Sequence, residues 1–231
     1  MSDARLAANE AARPTTDAPL SLPGRFRAVV FDMDGLLFDS EAAWEAAERD
    51  LLARHGAVLT EADRLASLGR AVDEVIGWYL VRIGWGPERA AELRDELIGL
   101  VGERYAEIQP MPGARELIER LRGRVRLGLA SNTDRPLVDH ALAAAGLTDA
   151  FDAVVSAQDV AAPKPAPDLY RLVCERLGVP PSEAVALEDS GTGVASAKAA
   201  GMACIAVPQL DGLDVSAADR IVDSLERLLE T

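Results

Sequence analysis

The sequence predicts an α/β fold in which a parallel β-sheet is interrupted, directly after its first strand, by a block of helices. Two observations lead to this prediction. Short apolar runs alternate with helix-like stretches over most of the chain, which is typical of parallel strands joined by right-handed crossovers. One interval, 39–110, breaks the alternation and contains consecutive helix-like stretches separated by glycine and proline turns.

The predicted strands are short apolar runs that suit a sheet buried on both faces. The first run ends in an Asp-Met-Asp-Gly sequence, where the glycine marks a sharp turn. The strands are expected at 28–31, 125–130, 153–156, 184–187 and 203–207. The helices that alternate with them are expected at 112–122, 136–145, 167–177 and 194–200.

These signals divide the chain into a sheet domain, 24–38 and 111–231, and a helical insert, 39–110. Ser40 is the expected N-cap of the first inserted helix, and Trp44 is expected to pack in a small core with the insert's other two tryptophans. Since the two chain crossings lie close together, the insert is expected to act as a hinged lid. Residues 1–23 lack an apolar period and are expected to form a mobile tail.

Composition argues against two classes of partner. The chain carries 24 Lys and Arg residues against 38 Asp and Glu residues, a net charge of −14, so it should repel nucleic acid and anionic membranes.

No apolar run approaches the roughly 20 residues of a membrane-spanning helix, and the N-terminus lacks a signal-peptide core. Cys174 and Cys204 form neither a disulfide framework nor a zinc pattern, which fits a reducing compartment. We expect a cytoplasmic protein, and nothing in the sequence implies a protein partner.

Polar side chains cluster where the predicted strands end or shortly afterwards. They are Asp32, Asp34, Ser131, Asn132, Lys164, Glu188 and Asp189. Because ligands collect at the carboxyl ends of parallel strands, we expect these groups to lie on one rim of the sheet. Each alone has an ordinary explanation as a turn, a helix cap or a solvated lysine. The combination carries the prediction of a site.

The acidic residues suit phosphoryl chemistry. A carboxylate such as Asp32 can attack phosphorus only if the phosphate's charge is neutralised. Mg²⁺ bound by Asp32, Glu188 and Asp189 would neutralise it. Asp34 can give a proton to the leaving oxygen and later take one from the attacking water.

The remaining residues suit the binding of a phosphate group. Lys164 offers a cation for phosphate oxygens, while Ser131 and Asn132 offer neutral donors. The sequence therefore predicts an enzyme that hydrolyses phosphate esters through an aspartyl phosphate on Asp32.

Four segments together resemble the motifs of the haloacid dehalogenase superfamily of phosphohydrolases. The run 32–40 resembles the first motif, Ser131 the second, Lys164 in Lys-Pro-Ala-Pro-Asp the third and the run 188–190 the fourth. The resemblance covers residues from about 25 to 231, and the set of motifs is highly specific. It implies a Rossmann-like core, with the insert as an α-helical cap that closes over substrate.

For the site, the resemblance implies a nucleophilic Asp32, an acid–base Asp34 and a Mg²⁺ site. The ligands would be the Asp32 carboxylate, the Asp34 main-chain carbonyl and Asp189, with Glu188 bound directly or through water. The carboxylate of Asp34 favours phosphoryl chemistry, because the dehalogenases proper lack one there and a halide leaving group needs no proton.

Within the superfamily, the chain resembles the β-phosphoglucomutase-like branch, and in appearance most of all sugar phosphatases of the hexitol-phosphate and deoxyglucose-phosphate type. The segments 39–44, 68–70 and 75–79 carry this likeness, and the position of the second makes Arg70 a candidate substrate contact. The expected substrate is a small sugar or polyol phosphate. A sugar-phosphate mutase is the second hypothesis, although that enzyme has a histidine where this chain has Trp44. The third is a catalytically idle protein that binds a phosphometabolite.

Overall fold

The computed structural model describes residues 22–210 and 213–230. Six strands form one parallel sheet in the order β3-β2-β1-β4-β5-β6. The strands are β1 (Ala28–Phe31), β2 (Arg126–Ser131), β3 (Ala153–Ser156), β4 (Ala184–Glu188), β5 (Ala203–Ala206) and β6 (Arg220–Ile221). The strand order reverses direction between β1 and β4, which is the position where open parallel sheets bind ligands.

Eight α-helices accompany the sheet in the part of the chain that the structure describes. Four of them lie between β1 and β2: α1 (Glu41–Arg54), α2 (Glu61–Ser67), α3 (Val72–Ile83) and α4 (Ala90–Tyr105). The other four are α5 (Ala114–Leu121), α6 (Arg135–Ala144), α7 (Asp168–Leu177) and α8 (Gly191–Ala200). The predicted α/β fold class is confirmed. The edge strand β6 was not predicted, because two residues without an apolar run give no periodic signal.

The sheet is buried on both faces. In β1, Val29 and Phe31 contribute to one apolar cluster, whereas Ala28 and Val30 contribute to a second. This division follows from the alternation of side chains along a strand. Because both faces are covered, a ligand can reach the sheet only at the ends of its strands.

The two chain crossings between the sheet and the inserted helices run side by side. The Asp39 N–H donates to the Gln109 carbonyl at 2.9 Å, and the Met111 N–H donates to the Leu37 carbonyl at 2.9 Å. The insert is therefore attached through a narrow pair of strands next to the end of β1. No helix within 22–210 or 213–230 is long and apolar enough to cross a membrane.

The predicted N-terminal tail, 1–23, lies almost wholly outside the described residues. Leu22 is described and is buried against the cluster that covers one face of the sheet. Ser40 lies at the N-cap position of α1, as predicted, but its side chain makes no capping hydrogen bond. Its hydroxyl donates to Asp34 at 2.6 Å instead.

Candidate active site

A buried group of charged side chains lies at the carboxyl ends of β1 and β4. Asp32 follows β1 directly, and Glu188 is the last residue of β4. The Lys164 Nζ donates to Asp32 Oδ1 at 2.5 Å and to Glu188 Oε1 at 2.6 Å. All three side chains are buried. One ammonium group is thus shared between two carboxylates that come from different strands.

Asp189 completes a group of three carboxylates. One oxygen from each of Asp32, Glu188 and Asp189 lies within 4.8 Å of the others. Burial raises the pKa of Asp32 to about 8, despite the Lys164 ammonium beside it, which acts to lower that pKa. Burial and the charges of Asp32 and Glu188 also raise the pKa of Asp189 well above its ordinary value. If all three carboxylates were ionised, the single ammonium could balance only one of the three negative charges.

Such a group fits a divalent cation. Mg²⁺ and Ca²⁺ prefer oxygen ligands, and carboxylates are the usual ones in proteins. A bound cation would favour the ionised carboxylates and so oppose the effect that burial has on these pKa values. Three of the four residues that the sequence predicts as metal ligands, Asp32, Glu188 and Asp189, are thus together, and their chemistry suits the ion.

Two glycines allow the carboxylates to approach the backbone closely. A Cβ placed on Gly35 would lie 2.2 Å from Asp189 Oδ2, and Gly35 also has a φ of +78°. A Cβ on Gly193 would lie 1.9 Å from Glu188 Oε2. Any larger residue at either position would displace a carboxylate from the group.

Asp34 accepts hydrogen bonds on both carboxylate oxygens. Its Oδ1 accepts from Ser40 Oγ at 2.6 Å, from Trp44 Nε1 at 3.1 Å and from the Tyr105 hydroxyl. Its Oδ2 accepts from Thr133 Oγ1 at 2.6 Å and from Ser131 Oγ at 3.5 Å. The first three donors belong to the insert or to its junction, whereas Ser131 is the last residue of β2 and Thr133 lies just after it. Asp34 thus joins the insert to the sheet domain.

Asn132 connects three parts of the chain. Its Oδ1 accepts from the Lys164 N–H at 2.9 Å, and its Nδ2 donates to the carbonyls of Lys164 at 3.1 Å and of Gly69 at 2.9 Å. Gly69 belongs to the loop between α2 and α3, and a Cβ there would lie 2.7 Å from Ser190 Oγ. The insert is therefore in direct contact with the sheet domain at this site.

A cavity of about 70 Å³ lies between the strand ends and the insert. Five predicted site residues line it: Asp32, Asp34, Ser131, Asn132 and Lys164. Glu188 and Asp189 are buried beside Asp32. The structure thus brings all seven predicted residues together, five of them at a surface that a ligand can touch.

The insert's face of the cavity is rich in carboxylates. Glu41, Glu45 and Glu48 line it from one side of α1. Burial, followed by the charges of Asp34 and Glu48, raises the pKa of Glu41 to about 7.

Two arginines also line the insert's side, and each has a carboxylate partner. Arg64 pairs with Glu61 at 2.7 Å, and Arg70 pairs with Glu74 at 3.0 Å. The charges of both guanidinium groups are therefore already partly neutralised.

Three hydroxyl groups at the site were not predicted. Thr133 lies two residues after Ser131, the last residue of β2, so it could have been found from the strand end. Tyr105 and Tyr170 lie in helices, and the Tyr170 hydroxyl donates to Glu188 Oε1 at 2.5 Å. No sequence signal separates such a tyrosine from one whose ring merely packs in a core.

The fold and site define a class of protein. The sheet is parallel, helices are inserted after its first strand, and carboxylates lie on both sides of its switch point. The resemblance to the haloacid dehalogenase superfamily implies this arrangement. A family model described as haloacid dehalogenase-like hydrolase matches residues 26–201. The chain belongs to this family, and the predicted family is confirmed.

Individual relatives indicate which members of the family this chain is similar to. Hexitol phosphatase B of Escherichia coli (strain K12) is 35% identical over 192 residues, which cover 82% of this chain and 86% of that protein. The crystal structure of CbbY from Rhodobacter sphaeroides in complex with phosphate is 31% identical with a TM-score of 0.79, covering 88% and 96% of the two chains. A β-phosphoglucomutase structure from Clostridium difficile has a TM-score of 0.80 at 22% identity, covering 88% and 93%, and shows the fold alone. The phosphatase relatives agree with the predicted enzyme class, a phosphoric monoester hydrolase.

Proposed function

We propose that this protein is a Mg²⁺-dependent phosphatase that hydrolyses sugar or polyol monophosphates through an aspartyl phosphate on Asp32. One observation carries the proposal. Asp32 lines the cavity with Lys164 at 2.5 Å on one side, and the carboxylates of Glu188 and Asp189 lie beside it. A phosphate group placed in the cavity would meet a nucleophile, an ammonium donor and a cation site together.

The proposed reaction has two steps. Asp32 attacks phosphorus, and the bond to the leaving oxygen breaks as that oxygen takes a proton from Asp34. Water then attacks the phosphorus of the aspartyl phosphate and gives a proton to Asp34, which restores the Asp32 carboxylate and releases inorganic phosphate. Lys164 donates to phosphate oxygens. Ser131 and Asn132 are the proposed neutral donors.

We assign the Mg²⁺ site to the carboxylates of Asp32 and Asp189 and to the main-chain carbonyl of Asp34, with Glu188 as a direct or water-mediated ligand. When bound, Mg²⁺ would offset the negative charge of the phosphate and of the carboxylates. The grouping of three buried carboxylates around a single ammonium, with the raised pKa of Asp32, supports this assignment.

The insert's face of the cavity supports the proposed substrate class. Glu41, Glu45 and Glu48 offer carboxyl oxygens, which accept hydrogen bonds from hydroxyl groups. The same oxygens would repel a second phosphate when they are ionised. A polyol or sugar with a single phosphate fits this surface better than a bisphosphate does. In this proposal residues 39–110 are the cap, and 24–38 with 111–231 are the catalytic core.

The Trp44 indole favours a phosphatase over a mutase. In a mutase the phosphoryl group returns to another hydroxyl of the same sugar, and the resemblance gives that enzyme a histidine at this position. Here the indole N–H donates to Asp34 Oδ1 at 3.1 Å and to the Tyr105 hydroxyl at 2.8 Å. An indole N–H can donate but cannot accept a proton, so it offers no base for moving a sugar hydroxyl's proton.

The test is a screen of phosphorylated sugars and polyols with Mg²⁺, followed by ³¹P NMR. We expect free phosphate to appear, and activity to disappear in Asp32→Asn and on chelation of the metal. Asp149→Asn, which changes an exposed carboxylate of the sheet domain, is the matched control and should remain active. Full activity of Asp32→Asn would refute the mechanism. Sugar phosphates that interconvert faster than phosphate is released would indicate the mutase.

A further inference from the structure

Tyr105, the last residue of α4, is fully buried at 0% exposure. It therefore cannot touch a substrate in the cavity. Its hydroxyl donates to Asp34 Oδ1 and accepts a hydrogen bond from Trp44 Nε1 at 2.8 Å. Its ring meets the Trp44 ring edge-to-face, with centroids 6.3 Å apart. Apolar packing does not require a hydroxyl at this position. The Tyr105 hydroxyl is thus directed at one oxygen of the Asp34 carboxylate.

The two oxygens of Asp34 differ in how fully they are used. Oδ1 accepts from three donors, Ser40, Trp44 and Tyr105. A carboxylate oxygen has about two lone-pair sites, so Oδ1 has no site left for a substrate. Oδ2 has one short partner, Thr133 at 2.6 Å, and one at the limit of a hydrogen bond, Ser131 at 3.5 Å. A site on Oδ2 therefore stays open.

We propose that Tyr105 is a positioning residue that holds Asp34 by Oδ1, so that Oδ2 is the oxygen that exchanges protons with the leaving group and with water. This inference rests on the proposed function, in which Asp34 is the acid and base. Asp34 Oδ2 gives its proton to the leaving oxygen as the Asp32–phosphorus bond forms. It regains a proton from water as that bond breaks.

The arrangement has a consequence for different leaving groups. An alkyl alkoxide is a poor leaving group and needs a proton as its bond to phosphorus breaks, whereas p-nitrophenolate leaves with little help. A misoriented Asp34 should therefore slow cleavage of an alkyl phosphate much more than cleavage of p-nitrophenyl phosphate. A merely structural role for Tyr105 would affect both substrates alike.

The experiment compares kcat/KM for sorbitol 6-phosphate and p-nitrophenyl phosphate in the full-length protein with Mg²⁺. Since kcat/KM reports the steps up to formation of the aspartyl phosphate, the comparison isolates the acid step. For Tyr105→Phe we expect a loss of roughly tenfold or more with the alkyl ester, a part of the 10²–10⁴ that general acids supply. The loss with the aryl ester should stay below about threefold, since little of the acid's contribution applies to it. The matched control is Ser156→Ala, which removes a buried hydroxyl at the end of β3, away from the cavity lining, and should leave the ratio of the two values unchanged.

The ratio of the two kcat/KM values does not depend on the fraction of correctly folded enzyme, so it stays informative if the variant is less stable. If Tyr105→Phe yields no folded protein, Ser40→Ala removes another Oδ1 donor and should change the ratio in the same direction. Equal losses with both esters, or no loss with either, would overturn the positioning role. If wild-type protein hydrolyses neither ester nor any other phosphate in the screen, the proposed function fails, and this inference fails with it.

Discussion

Glu48 lies on the buried side of α1, where the Ser67 hydroxyl is 3.4 Å from its Oε2. Burial raises the pKa of Glu48 from 4.5 to about 7, against the hydroxyls of Tyr79 and Ser67, which act to lower it. The folded protein therefore keeps a proton on this carboxyl at pH values where the unfolded chain releases it. We predict that Glu48→Gln, which imitates the protonated form, stabilises the protein above neutral pH.

The magnitude follows from linkage between protonation and folding. Below pH 4.5 Glu48 is protonated in both states, so its pKa shift adds no pH dependence there. As pH rises toward 7 the folded state binds more protons than the unfolded state, and the free energy of unfolding falls by up to about 1.4 kcal/mol per pH unit. Above pH 7 the accumulated loss in the wild type is roughly 3 kcal/mol. The Gln variant does not ionise and avoids this loss.

The assay is urea unfolding of both proteins at pH 5 and at pH 8.5. The difference in the free energy of unfolding should grow from a small value to roughly 3 kcal/mol in favour of Glu48→Gln, equivalent to about 6–12 °C in Tm for a chain of this size. Glu103→Gln, an exposed change on α4, should show no such growth. A difference that stays the same at both pH values would refute the assignment of a protonated Glu48.

Two further predictions concern packing and the contact between insert and sheet. Gly193→Ala places a Cβ 1.9 Å from Glu188 Oε2, so we expect kcat/KM to fall roughly 10- to 100-fold. By contrast, Gly77 is an exposed helical glycine with open space around it. Gly77→Ala should therefore raise the free energy of unfolding by about 0.5–1 kcal/mol. Arg94 donates to the buried carboxylate of Asp134, so Arg94→Leu should cost about 2 kcal/mol in urea unfolding. The second change Asp134→Asn should recover part of that loss, and a strictly additive double variant would contradict the pairing.

Much of the fold could be predicted from local patterns. A strand buried on both faces must be a short apolar run, and β1 is such a run, with all four of its residues buried. The strand ends could likewise be placed, because a turn glycine, Gly35, and a helix-capping serine, Ser190, follow them closely. The carboxyl ends of parallel strands share one edge, so this placement was enough to bring Asp32 and Glu188 to a common location, with Lys164 in the connection that follows β3.

The partners of the predicted side chains could not be found in this way. Tyr105 lies 71 residues from Asp34, and Asn132 lies 63 residues from Gly69. Whether such residues meet depends on how the inserted helices pack against the end of the sheet. Helical periodicity identifies the buried side of a helix but not the atom that its hydroxyl will reach.

The sequence by itself determined the family, the order of strands and helices along the chain, and the acidic and basic groups at or after the strand ends. Each of these depends on residues that are adjacent in the chain or on a fixed rule of parallel sheets. Only the tertiary structure decided that three groups of the insert and its junction hold Asp34 by one oxygen, and that the insert's face of the cavity presents Glu41, Glu45 and Glu48. The reason is that these contacts join segments far apart in sequence, and their geometry is set by helix packing.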